Sequence, residues 1–128
     1  MTITRRSAKA KGKRLQNTIV DLFKSVFYLS EDQVRSVASC VNGEDIIFSS
    51  DIQSKLNISV ECKNQEKLNI WSALEQTKDN CKTFNPVLIF KRNKSKTYVT
   101  IEVDYFMELL DNSLTGDYYK ELFEKKVE

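Results

Sequence analysis

The stretch Leu56-Asn57-Ile58-Ser59-Val60-Glu61-Cys62-Lys63 alternates apolar and polar residues without a break. A strand sends successive side chains to opposite faces, so Leu56, Ile58, Val60 and Cys62 share one face and Asn57, Ser59, Glu61 and Lys63 the other. The pattern predicts a strand with its apolar face on a core and its polar face half-solvated. Half-solvation accounts for the alternation. It does not account for a carboxylate and an ammonium two residues apart at the end of the polar face.

Outward from this strand the chain reads as helices and strands in turn. Residues 14–29 carry Leu15, Ile19, Leu22, Phe23, Val26 and Phe27 at intervals of three and four, the spacing of an amphipathic helix, and residues 1–10 read as a flexible basic arm before it. Residues 34–40 read as a strand with Val34, Ser36, Ala38 and Cys40 on one face. Asn42-Gly43 signals a turn, residues 45–48 a short strand, and residues 49–55 a polar return. On the C-terminal side, Leu68, Trp71, Leu74 and Cys81, widened by Ile70 and Ala73, predict a helix to about residue 82 with one apolar stripe; Gln76 could reach a site on the sheet if the face of Trp71 and Leu74 is turned toward it. Pro86 begins the next element, residues 87–90 form a buried strand and residues 97–103 another. Tyr105, Phe106, Leu109 and Leu110 predict a helix, followed by a break over residues 112–116 and a last acidic helix from Asp117. The order α-β-β-β-α-β, followed by C-terminal β and α elements, predicts an α/β fold with a mixed central sheet and helices on its faces. The 128 residues have room for one domain spanning 1–128, and no repeat or linker divides them.

Composition removes several classes of function. There is no His, so imidazole ligands and Ser-His-Asp chemistry are excluded. Cys40, Cys62 and Cys81 are widely spaced and contain no CxxC pair, which argues against a disulfide framework and a zinc knuckle. No apolar run approaches the ~20 residues that cross a bilayer, and the basic N-terminus lacks the apolar stretch of a secretory signal. The expectation is a protein of the cytoplasm, with no membrane partner. Charge is segregated along the chain: Arg5, Arg6, Lys9, Lys11, Lys13 and Arg14 lie within the first fourteen residues with no acid among them. Lys91, Arg92, Lys94 and Lys96 form a second basic block, and residues 104–128 carry seven acids against three lysines. The two basic blocks suit a phosphate-facing surface if the fold joins them; a solubilising tail is the alternative for the first.

The chemistry centres on Asp45, Glu61 and Lys63. Residues i and i+2 of a strand face the same way, so Glu61 and Lys63 project together, and pairing with the preceding strand sets Asp45 beside Glu61. Two carboxylates that close repel unless something positive compensates them, and a divalent cation does so directly. Asp45, Glu61, the backbone carbonyl of Cys62 and waters make an oxygen site suited to Mg²⁺, with Mn²⁺ able to substitute. A cation there would polarise a phosphodiester oxygen, with Lys63 orienting water or facing the charge that develops on phosphorus. A cross-strand ion pair on an exposed edge has the same spacing.

These residues resemble the hallmark of the PD-(D/E)xK nuclease superfamily. Gly43-Glu44-Asp45-Ile46-Ile47 is similar to the Asp that opens one strand, and Val60-Glu61-Cys62-Lys63 to the (D/E)-x-K on the next. With the Lys11-Gly12 entry to the first helix and the stretch Glu61-Cys62-Lys63-Asn64-Gln65-Glu66, the closer likeness is to phage and archaeal-type Holliday junction resolvases, over residues 10–103. The resemblance implies a restriction-endonuclease-like core and a metal-dependent, structure-selective DNA endonuclease that resolves four-way junctions as a homodimer. It also implies that Gln76 is the helix glutamine that follows the E-x-K strand in this superfamily. Resolvases of this type carry a Glu four residues after the glycine of the first helix; this chain has Gln16 there, so a second metal would bind less tightly. Glu44 and Glu66 lie near enough in sequence to substitute, although strand parity sets Glu44 on the face opposite Asp45. Phe84, Tyr105, Phe106, Tyr118, Tyr119 and Phe123 are candidates for a dimer interface or for closing the core. Cleavage of linear duplex, and a DNA-binding or assembly module with a weakened site, are the alternative functions.

Overall fold

The computed structural model describes residues 4–37, 43–114 and 116–127. The chain runs α1 (Arg5–Phe27), β1 (Val34–Ser36), β2 (Ile46–Phe48), α2 (Ser50–Leu56), β3 (Ile58–Asn64), α3 (Ile70–Asn80), β4 (Asn85–Lys91), β5 (Tyr98–Thr100), α4 (Val103–Ser113) and α5 (Gly116–Val127). The five strands form one mixed sheet in the order β1-β2-β3-β4-β5. β3 and β4 are parallel over seven register pairs from Ile58↔Asn85 to Asn64↔Lys91, with α3 as the crossover between them. The other neighbours are antiparallel.

α1 begins at Arg5, nine residues before the start that apolar spacing indicates. Thr4 stands at its N-cap, where its Oγ1 accepts a hydrogen bond from the Ser7 N–H at 3.1 Å, satisfying a donor that the first turn leaves open. The expected arm is therefore helical from Arg5; residues 1–3 lie outside the described residues. α1 packs on β1 and β3 through Leu15, Ile19 and Val20. Leu22, Val26 and Phe27, which the spacing places on the same stripe, are exposed. β1 is described to Ser36, and Ala38, Cys40 and Asn42 lie outside the described residues. Gly43 has φ +116°, a conformation that L side chains rarely adopt, and it turns the chain into β2.

Residues 50–56, expected as a polar return, form α2. Ser49 precedes it, Ile52 is its buried residue, and Asn57 closes it in the left-handed conformation with its N–H donating to the Gln53 carbonyl. The larger correction concerns β3, whose polar face is not solvated: Ser59 is 1 % exposed and Glu61 2 %. One face, with Ile58, Val60 and Cys62, joins Leu15, Ile19, Val20, Val34, Ile46, Phe48, Val87 and Ile89 in the core under α1. The opposite face is covered by α3, which packs on β3 and β4. α3 does so through Ala73 and Thr77, the only buried residues on the helix, and turns Trp71 outward at 81 % exposure. The small side chains let α3 lie close to the sheet, whereas an apolar stripe through Trp71 and Leu74 would hold it away.

This packing predicts opposite outcomes for two neighbouring substitutions. Ala73→Leu inserts methylenes where α3 meets the sheet and should cost about 1–3 kcal/mol. Trp71→Ala removes an exposed ring and should change stability by less than ~0.5 kcal/mol. Urea unfolding of both variants checks this; a larger loss for Trp71→Ala would mean that α3 packs on its other face.

Candidate active site

Asp45 sits where the β2–β3 ladder ends. Its N–H donates to the Val60 carbonyl at 2.8 Å and its carbonyl accepts from Val37 N–H at 3.0 Å, so the backbone is fixed from both neighbours. Its Oδ2 accepts from the Cys62 N–H at 2.7 Å, where the next residue of β2 would otherwise pair. In a strand a residue's N–H and C=O leave toward the same neighbour, so the Cys62 carbonyl faces the same gap beside Asp45.

Glu61 points to the α3 side. Its register neighbour on β4 is Leu88, which is fully buried, and Asn80 of α3 donates from Nδ2 to Glu61 Oε1 at 2.8 Å. Burial pushes the Glu61 carboxyl up to about 7 from an ordinary 4.5; the Asn80 hydrogen bond opposes this, while the charge and hydrogen-bonding contact of Asp45 add to it and the Lys63 ammonium opposes it. Asp45 and Lys63, 18 positions apart in the chain, thus both act on Glu61. Burial first, and then the two carboxylates, push the Cys62 thiol well above its usual range, so it remains neutral on the core side and offers only backbone atoms.

Gln16 is buried on α1, and its Oε1 has no hydrogen-bond partner, which is an acceptor that a cation or water would satisfy. Gln76 is exposed, one helical turn before Asn80. The amide that reaches Glu61 is Asn80, a residue sequence reasoning missed. Its signal was the stripe Ala73, Thr77, Asn80 at helical spacing, less conspicuous than Trp71 and Leu74. Glu44 is not turned away as parity suggested: Ser59 Oγ, on the Glu61 face of β3, donates to Glu44 Oε2 at 2.9 Å. Glu44 lies ahead of β2, where the two-residue period does not hold. Among the described residues no three His, Cys, Asp or Glu side chains converge as a metal cluster.

Glu66 is engaged elsewhere. Its Oε1 accepts from the Asn93 N–H at 2.9 Å and lies 3.8 Å from Lys11 Nζ, so it ties the first basic block to the turn carrying the second. The two blocks therefore meet, with two corrections. Lys11 is buried against Glu66, and Lys13 donates from Nζ to Ser36 Oγ at 2.8 Å and to the Val37 carbonyl at 2.9 Å, which commits both to holding α1 in place. Arg5, Arg6, Lys9, Arg14, Arg92, Lys94 and Lys96 are exposed and Lys91 is half-buried. Of the interface candidates, Phe106, Tyr118 and Phe123 are exposed, Phe84 is half-buried, and Tyr105 packs on the core; the Tyr119 side chain lies outside the described residues.

Residues 7–126 match a family model described as "Phage putative PDDEXK endonuclease". Comparison with curated proteins and with solved structures finds no match. The mixed five-stranded sheet with helices on both faces agrees with the restriction-endonuclease-like fold of that family. No helix among the described residues is long and apolar enough to cross a membrane.

The Glu61 shift carries a sign that can be measured. A carboxyl raised in the folded state holds a proton that the unfolded chain has released between pH 4.5 and about 7, so its ionisation lowers stability as pH rises through that interval. In chelator, Glu61→Gln should match the wild type near pH 4.5 and exceed it by pH 8, by on the order of 3 kcal/mol at most. Thermal unfolding across pH checks this, and a gap independent of pH would contradict it.

Proposed function

The chain belongs to this phage PDDEXK endonuclease family, and from that premise we propose that it is a metal-dependent, structure-selective DNA endonuclease that cuts four-way junctions as a homodimer in the host cytoplasm. The observation that carries the reading is the Asp45–Glu61 pair, held beside Lys63 at the end of the β2–β3 ladder. PD-(D/E)xK nucleases generally depend on a divalent cation. The residues present fit one: Asp45 and Glu61 supply two charges and the Cys62 carbonyl a neutral donor, a hard-oxygen set suited to Mg²⁺ or Mn²⁺. When bound, such a cation supplies Lewis acidity toward the phosphodiester.

The protein's own groups do the rest. Asp45, fixed by three hydrogen bonds, sets the position of the site. Asn80 holds the Glu61 carboxylate in one orientation. In this reading Lys63 would face the negative charge that develops as the phosphodiester is attacked, and Gln76, exposed on α3, would hold water or a phosphate oxygen. Arg5, Arg6, Lys9 and Arg14 on α1 and the block at residues 91–96 supply phosphate contacts, which position DNA without reading its sequence. Two symmetric cuts in a junction require two sites, hence a dimer, with the exposed aromatics of α4 and α5 as its interface. The neutral Gln16 favours one second reading, a DNA-binding module with weakened catalysis.

The test is incubation with labelled four-way junction, fork, single strand and linear duplex, with Mg²⁺ and with EDTA. Paired nicks near the crossover of the junction alone support the proposal; equal cutting of every substrate contradicts structure selectivity, and binding without cleavage supports the second reading. Asp45→Asn should abolish cleavage with folding and DNA binding nearly intact. Lys63→Ala should lower kcat with little change in affinity, because its interaction strengthens only in the transition state; a loss wholly in affinity would make Lys63 an ordinary phosphate contact. Replacing Arg5, Arg6 and Lys9 by Gln should reduce the slope of log K against log[salt] by up to roughly 0.9 per lost phosphate contact.

A further inference from the structure

The sheet face that carries Glu61 continues past Lys63 to two aromatic residues, Phe90 and Tyr98, that the proposed chemistry does not use. Lys63 registers with Phe90 on β4, and Phe90 with Tyr98 on β5, so the three side chains stand side by side on one face. The Phe90 and Tyr98 rings have centroids 6.0 Å apart with 30° between their planes. They line a groove of about 350 Å³ together with Leu68, Ile70, Lys91, Arg92 and Glu66, whose carboxylate is already engaged by Lys11 and the Asn93 N–H. Tyr98 is 55 % exposed, so its ring is left largely in water by the fold.

Aromatic faces with apolar neighbours and two cations match the chemistry of one nucleotide, its base stacked on a ring and its phosphate beside a cation. A base within duplex already has both faces stacked, so a ring can take it only after it has left the stack, and an unpaired base does so at least cost. β5 lies two strand spacings from β3, roughly 10 Å, so an occupant of the groove adjoins whatever phosphate sits at Lys63. We propose that the groove is a stacking subsite for one unpaired nucleotide next to the scissile phosphate. Its ligand class rests on the endonuclease reading, and it gives that reading a source of selectivity: branch points present such nucleotides and intact duplex does not.

The test uses the full-length protein in EDTA with two probes. One is a forked duplex carrying 2-aminopurine in its unpaired arm at the branch point, the other a fully paired duplex of the same length. Stacking predicts fluorescence quenching on binding the fork. Tyr98→Ala should lose the quenching and weaken fork binding by about tenfold or more, the loss of one base–aromatic stack, with less than about twofold change for the paired duplex. Tyr98→Phe, which keeps the ring, should behave as wild type, and circular dichroism of both variants confirms folding. Equal weakening on both probes, or no weakening on either, overturns the subsite. Parallel digestion by wild type in Mg²⁺ separates the two ideas: cleavage without quenching overturns the subsite alone, and quenching without cleavage of any DNA upholds the subsite while sinking the endonuclease reading.

Discussion

Glu61 is a carboxylate with 2 % of its surface exposed, set against a second carboxylate, and the surrounding structure is arranged to tolerate it. A buried charge is costly unless hydrogen-bonded or paired. Asn80 gives Glu61 one donor, Lys63 gives it a nearby positive charge, and the rise of its pKa to about 7 lets it hold a proton instead. The small residues Ala73 and Thr77 allow α3 to approach closely enough for Asn80 to reach, and the register neighbour of Glu61 on β4, Leu88, is fully buried. Asp45 is locked by backbone bonds to Val37 and Val60 and by the Cys62 N–H, so it cannot swing away to relieve repulsion. Two carboxylates placed this close are what the proposed divalent cation would compensate on binding.

The same economy governs the positive charges. Lys11 and Lys13 spend theirs inside the molecule, on Glu66 and on the end of β1, and thereby seat α1 against the sheet. Glu66 also takes the Asn93 N–H, which brings the turn after β4 to the same place. The exposed cations on α1 and on that turn are thus carried by elements with a shared anchor, close in space though some 80 residues apart in the chain.

The alternation around Val60 identified the central strand, its core-facing residues and the Glu61–Lys63 pair, because among regular structures the strand is the one with a period of two. It could not say what covered the polar face, since water and a helix of small residues leave the same pattern on the strand. Of the apolar stripe expected on α3, Ala73 and Cys81 are buried and Leu74 half-buried, whereas Trp71 is exposed and the polar Thr77 is buried: bulk favours Trp71, and here close approach matters more than apolar area. The early start of α1 was hidden because Arg5 to Lys9 carry no apolar stripe, leaving only Thr4 as a cap signal. α2 was missed for a related reason, with Ile52 as its one buried residue. Within the site, Asp45, Glu61 and Lys63 were legible from type and spacing, whereas Asn80 and Glu44 depend on how α3 and the segment before β2 approach the sheet, which spacing does not encode.

The central claim is that the Asp45–Glu61 pair is a cation site. Its most direct measurement is the melting temperature of the full-length protein at pH 8 as Mn²⁺ or Mg²⁺ is titrated, in the wild type and in Asp45→Asn. Binding to the folded state alone raises stability as RT ln(1 + [L]/Kd), so the wild-type Tm should climb with the logarithm of concentration above Kd and the variant should stay flat. A wild-type Tm that does not move over millimolar cation, or one that moves equally in Asp45→Asn, would contradict the account.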